Sequence, residues 1–151
     1  MSDTWTRLIP RDPLFIPTPE AIALAETYMA DLEPEAEEIV YEISDGIRFR
    51  DCGANLTHIL CPVCQSEISA EWWTEQMGDS YGETNFELKP IKLPCGEVVN
   101  SMNDLRYDRS QGFSRFVLDT MNPIRGPLFP EEIVRFEEIL GCKLTVIYQH
   151  L

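Results

Sequence analysis

Apolar positions along the chain follow three patterns. Behind Thr18-Pro19, residues Ile22, Ala25, Met29 and Leu32 recur at three- and four-residue intervals until Pro34, predicting a helix over 19–32 with Thr18 as its N-cap. Ile133, Phe136 and Leu140 mark a second helical face that ends at Gly141. Residues 69–77, with Trp72 and Trp73 at adjacent positions, predict a shorter helix stopped by Gly78; of two neighbouring indoles, one should enter the core and the other face solvent. Runs rich in β-branched and aromatic residues predict strands over 86–93, 113–118 and 143–148. Residues 101–104 resemble a helical cap, residues 78–85 a polar loop, and residues 1–17, interrupted by Pro10, Pro13 and Pro17, an ordered but irregular arm.

Residues 39–50 predict a hairpin. A two-residue Asp45-Gly46 loop would set Ile43 against Arg48, whereas a three-residue Ser44-Asp45-Gly46 loop pairs Ile43 with Ile47, Tyr41 with Phe49 and Glu42 with Arg48. The second register is expected, with Gly46 in the left-handed conformation. Helices mixed with hairpins give an α+β fold with a largely antiparallel sheet and helices packed on it. At 151 residues, one domain spanning 1–151 is expected.

Charge narrows the partners. Twelve basic against 26 acidic side chains leave a net charge of −14, which repels phosphate backbones and anionic lipid, so neither nucleic acid nor membrane is an expected partner. Ten acids and no Lys or Arg lie between Asp12 and Asp45: a solvated helix face, or a surface for a basic protein. Arg106, Arg109 and Arg115 form the one basic cluster, expected to pair with acidic surface. The first ten residues lack the basic start and apolar run of an export signal, and no apolar stretch approaches the roughly 20 residues that cross a bilayer, so the cytoplasm is expected.

Five cysteines in a reducing compartment are ligands, redox groups or core fillers rather than a disulfide framework. Cys61-Pro62-Val63-Cys64 sets two thiolates in one tight turn, as zinc requires, and Cys95 in Leu93-Pro94-Cys95-Gly96 supplies a third. The second turn lacks its own partner sulfur, since Lys92 stands three residues before Cys95. Candidates for the fourth ligand are Cys52, His58 and a carboxylate such as Asp104 or Asp108. Cys142, beside Gly141, reads as a small buried apolar residue.

Together with Glu71-Trp72-Trp73, Asn103-Asp104-Leu105-Arg106-Tyr107 and Gly112-Phe113-Ser114-Arg115-Phe116, these turns resemble an uncharacterised family of small bacterial proteins with a zinc-ribbon-like insert, sometimes labelled a sugar transporter ATPase. The resemblance runs from about Val40 to the C-terminus and implies a zinc-ribbon-like insert over about 52–100 with zinc as the cofactor. It implies no activity, and the chain has no phosphate-binding glycine loop to support the ATPase label. Members tend to carry paired cysteines in the second turn, where this chain has Cys95 alone.

The expected function is a cytoplasmic, zinc-binding, non-enzymatic protein-interaction domain. Two alternatives belong to other classes. A dithiol oxidoreductase would use Cys61 as nucleophile and Cys64 as resolving thiol, although Glu67 and Glu71 nearby oppose a thiolate. An acidic immunity or inhibitor protein would cap a basic toxin or nuclease. Two histidines, His58 and the penultimate His150, support no Ser-His-Asp arrangement.

Overall fold

The computed structural model describes residues 3–54, 56, 58–81 and 85–151. Its framework is a four-stranded antiparallel sheet in the order β2-β7-β1-β8, formed by β1 (Thr4–Pro10), β2 (Glu38–Arg50), β7 (Gly112–Met121) and β8 (Leu144–His150). Two helices, α1 (Pro19–Leu32) and α3 (Pro130–Leu140), pack on one face, so the α+β class follows. Ile22, Ala25 and Met29 of α1 and Phe136 and Leu140 of α3 bury against Leu8, Phe116 and Leu118 of the sheet. The helix ends follow their sequence signals: Thr18 Oγ1 accepts from the Ala21 N–H, and Gly141 takes φ +80° after α3. Ile9, Val117 and Ile147 form a smaller cluster with Cys52.

Two expectations about the sheet are corrected. The N-terminal segment is not an irregular arm: β1 lies between β7 and β8, and its prolines fall at or beyond the strand end, where a missing N–H breaks no ladder. Residues 39–50 are not a hairpin either. They form one strand whose register on β7 shifts, with Ile43 opposite Phe116 and Arg48 opposite Ser114, so residues 44–47 face Arg115 alone. The Asp45-Gly46 signal makes a wide bulge instead of a reversal. Gly46 has no positive φ; its constraint is space, because a Cβ there would meet the Asn85 side chain.

Polar side chains fill the bulge. Ser44 Oγ donates to the carbonyls of Gly46 (2.6 Å) and Arg115 (3.1 Å), and Arg115 Nε donates to the Ser44 carbonyl (3.0 Å). Arg50, only 5% exposed in its side chain, donates to Glu42 (2.7 Å), Ser114 Oγ and the Arg115 carbonyl. Its hydrogen bond holds the Glu42 carboxyl below its ordinary range, while burial lowers the guanidinium of Arg50 itself.

The chain between β2 and β7 forms the second part of the molecule. It holds helix α2 (Ala70–Ser80) and two short antiparallel ladders, β3 (Ile59–Leu60) with β6 (Arg106–Tyr107) and β4 (Ile91–Lys92) with β5 (Val98–Val99). The strand expected over 86–93 is thus reduced to two residues, and α2 runs on through Gly78. Residues 82–84 of the expected polar loop lie outside the described residues. Trp72 and Trp73 do not divide between core and solvent; both pack on a cluster built from Ile59, Cys61, Ile68, Leu93, Leu105 and Phe113, and Trp73 Nε1 donates to the Tyr107 hydroxyl (3.1 Å). Phe49 of β2 and Phe113 of β7 reach into this cluster, and the Phe86 N–H donates to the Ile47 carbonyl that the bulge exposes.

The segment leaves the sheet along the outer edge of β8. The Ala54 N–H donates to the His150 carbonyl and the His150 N–H to the Cys52 carbonyl, with Gly53 at φ +71° and its missing Cβ 2.2 Å from the His150 oxygen. At the other end of β8, the Leu144 N–H donates to Glu137 Oε2 and Arg11 Nε donates to the Leu144 carbonyl. No helix among the described residues is long and apolar enough to cross a membrane.

Gly53→Ala should lower the unfolding free energy by about 2–3 kcal/mol in urea titrations, since a left-handed alanine costs about 1–2 kcal/mol before the clash with His150. Arg50→Ala should cost about 2–3 kcal/mol by leaving buried acceptors unpaired. Because the Glu42 carboxyl is lowered in the folded state, its contribution is present above the ordinary carboxylate range and lost as pH falls through and below it. The Arg50→Ala variant should therefore show a flatter acid limb in stability against pH; an unchanged limb would show that the pair contributes nothing.

Candidate metal centre

The turn at Cys61 is closed by its own backbone. The Cys61 N–H donates to the Ser66 carbonyl (2.9 Å) and the Gln65 N–H to the Cys61 carbonyl (3.0 Å), while Leu60 bridges Glu67. Closing the turn puts Gln65 at φ +64°, a conformation that costs a side-chain-bearing residue about 1–2 kcal/mol. Two contacts hold it there: Gln65 Nε2 donates to the Pro62 carbonyl, and the guanidinium of Arg106 donates to Gln65 Oε1 (2.6 Å). Arg106 is in reach because β6 pairs with β3. The N–H groups of Val63 and Cys64 then point at Cys61 Sγ, at 3.4 and 3.5 Å.

The second turn has the same plan in shorter form. The Leu93 N–H donates to the Glu97 carbonyl (2.7 Å) and the Gly96 N–H to the Leu93 carbonyl (2.9 Å), with Gly96 at φ +97°. Leu93 therefore makes the backbone bonds that Cys61 makes in the first turn, one residue closer to the following cysteine. The two turns bring the Sγ atoms of Cys61, Cys64 and Cys95 all within 4.8 Å of one another. A zinc ion bound to thiolates at about 2.3 Å sets its sulfurs about 3.8 Å apart, so this group is close to the spacing an ion requires. Cys61 is buried, whereas Cys64 and Cys95 are exposed.

The three thiols differ in acidity. Hydrogen bonds from the Ser66 hydroxyl and backbone bring Cys64 down to about 7, and the Cys95 thiol adds to this. For Cys95, the Glu97 backbone acts to lower the thiol, but desolvation and the neighbouring Cys64 and Cys61 outweigh it and leave the group raised.

Of the four cysteines read as ligands, the fold gathers three. Cys52 is elsewhere, buried with Ile9, Val117 and Ile147, its thiol donating to Gln111 Oε1 (3.4 Å) and raised by desolvation. His58, the alternative, is tied to Glu67 (Nδ1 to Oε1, 2.7 Å), which raises its imidazole. Asp104 and Asp108 do not join the sulfur group. Cys142 is half-buried, and desolvation pushes its thiol up to about 11. Within the Cys61–Cys64 pair, Cys61 is the buried member and Cys64 the exposed one. Helix α2 begins only at Ala70, so its N-terminus does not meet Cys61.

No family model matches this chain, and no curated protein or solved structure is significantly similar to it. The assignment of the centre rests on its own geometry.

Sequence reasoning missed Gln65, Ser66 and Arg106. A serine two residues beyond Cys64 was a visible signal; the Arg106 contact depends on β3–β6 pairing and had none. Arg106 and Arg115 satisfy oxygens of Gln65 and Ser44 rather than the acidic surface expected for them.

Alkylation of the metal-free protein should follow this order of acidity and exposure. Cys64 should react first, with its rate half-maximal near pH 7, Cys95 should need higher pH, and Cys52 and Cys61 should resist until unfolding. Peptide mass mapping across pH reads the order, and equal rates at Cys64 and Cys61 would contradict it.

Proposed function

We propose that this chain is a cytoplasmic, zinc-binding, non-enzymatic protein-interaction domain, in which the segment between β2 and β7 works as a zinc-ribbon-like unit. The reading is carried by the approach of Cys61, Cys64 and Cys95 from two separate turns to within 4.8 Å. A donor set made only of sulfur favours zinc over magnesium or calcium, which take oxygen. The N–H groups of Val63 and Cys64 aimed at Cys61 Sγ are placed to donate to the sulfur of a metal-bound cysteine. When bound, the ion supplies a cross-link between the two turns. Ile91, Trp72, Trp73 and Phe86 are only partly buried around the local core, so such a cross-link would add to a modest apolar gain.

For the partner, charge is the guide. Glu20, Asp31, Glu35, Glu37, Glu38 and Asp45 are exposed, while Glu33 and Glu42 are engaged with Arg125 and Arg50. That surface suits a basic protein, and an immunity or inhibitor role toward a basic toxin or nuclease is one form of the same reading. A dithiol oxidoreductase is the second reading, favoured by the exposed, acidified Cys64 beside Cys61.

Protein purified without a metal-affinity column should hold about one zinc per chain by elemental analysis, with its thiols protected until unfolding or chelation. Cys61→Ser should bring the metal close to zero, and Cys52→Ser and Cys142→Ser should retain it. Metal-free protein that reduces a disulfide substrate, and loses that activity in Cys64→Ser as well as in Cys61→Ser, would establish the dithiol reading instead.

A further inference from the structure

Three sulfurs make an unfinished zinc site. The corner that Cys61 fills for the first turn falls in the second turn to Leu93, which makes the matching backbone bonds and is likewise buried in the local core. Leucine offers no donor atom. Lys92, three residues before Cys95, is exposed and faces Val98 across the β4–β5 ladder. Among the described residues, no other His, Cys, Asp or Glu joins the group.

Resting on the zinc reading above, we propose that this centre keeps a fourth coordination position open and that it takes a thiolate or imidazole donor from outside the chain. Closed structural sites use four protein ligands; a site with three keeps an exchangeable fourth. The kind of donor follows from charge. Three thiolates on a divalent ion leave 2 − 3 = −1, so a bound water is weakly polarised and a hydrolytic role is disfavoured. A soft donor suits the ion better than oxygen does. The exchange is simple: water leaves, neutral imidazole binds through its free nitrogen lone pair, and a thiol binds as thiolate after releasing its proton to solvent. No electron is transferred. Access is provided by the exposed Cys64 and Cys95, and exposed Val63 (61%), next to Cys64 in the chain, gives an incoming donor apolar surface.

The test uses the full chain loaded with cobalt(II), whose visible bands report its ligand set. A thiolate-to-cobalt charge-transfer band should appear, and imidazole or N-acetylcysteine amide should shift the visible bands saturably. Light scattering separates the sources. A shift that needs added donor on a monomer shows that a free donor suffices; one that grows with protein concentration as the chain dimerises shows that a second copy supplies it. Either outcome supports the open position. A charge-transfer band with visible bands that neither donor nor protein concentration changes would overturn the proposal while leaving the metal reading intact. Absence of the charge-transfer band would remove the metal reading itself. Leu93→Cys should complete the set from within, abolish the donor response and tighten metal binding at least tenfold. A folded Leu93→Cys protein that still responds in full would overturn the equivalence of Leu93 with Cys61 and, with it, the assignment of the missing corner.

Discussion

The pairing of Arg50 with Gly112 at the mouth of the β2–β7 ladder governs the second half of this molecule. Paired strands lie about 4.8 Å apart, so the chain that leaves β2 must come back to within one strand spacing of its exit before β7 can begin. Residues 51–111 are therefore a closed excursion. The β3–β6 ladder repeats the closure one level further out, and the cysteine turns are held in what remains. Their approach to one another follows from a loop whose ends were already fixed together by the sheet.

The bulge at 44–47 connects this excursion to the framework. β2 is an edge strand with a single ladder, and at the bulge its Ile47 carbonyl accepts from the Phe86 N–H while Gly46 lies against Asn85. Phe49 and Phe113, opposite one another just beyond it, carry apolar surface from the sheet into the outer cluster. One local irregularity thus supplies a polar anchor and an apolar one. The Arg50 and Ser44 network keeps it from collapsing into regular pairing.

How legible this was in the sequence depended on the range of the signals. Helix α1 could be read residue by residue and α3 by its buried face and its end, because Thr18, Pro19 and Gly141 act on their own turns. The α+β class followed from the mixture of patterns. β1 was missed because its proline-rich flank looks irregular in isolation; its alternation has meaning only between β7 and β8. Asp45-Gly46 misled because the same dipeptide suits a reversal or a bulge, and the deciding partner, Arg115, lies 71 residues from Ser44. At the site, Cys61, Cys64 and Cys95 were legible from their spacing and turn residues. The exclusion of Cys52 was not, since it depends on how Gly53 turns the chain along β8.

That same passage along β8 matters beyond the positioning of Cys52. β8 is one edge of the sheet, and an exposed edge invites strand-by-strand growth into aggregates. Here the Cys52–Ala54 backbone occupies the edge at His150, while the Glu137 carboxylate and Arg11 guanidinium occupy it at Leu144. A foreign strand finds both ends of the template already taken and only a short stretch between them to zip onto. The route that starts the excursion toward the cysteines also guards this edge of the sheet against self-assembly.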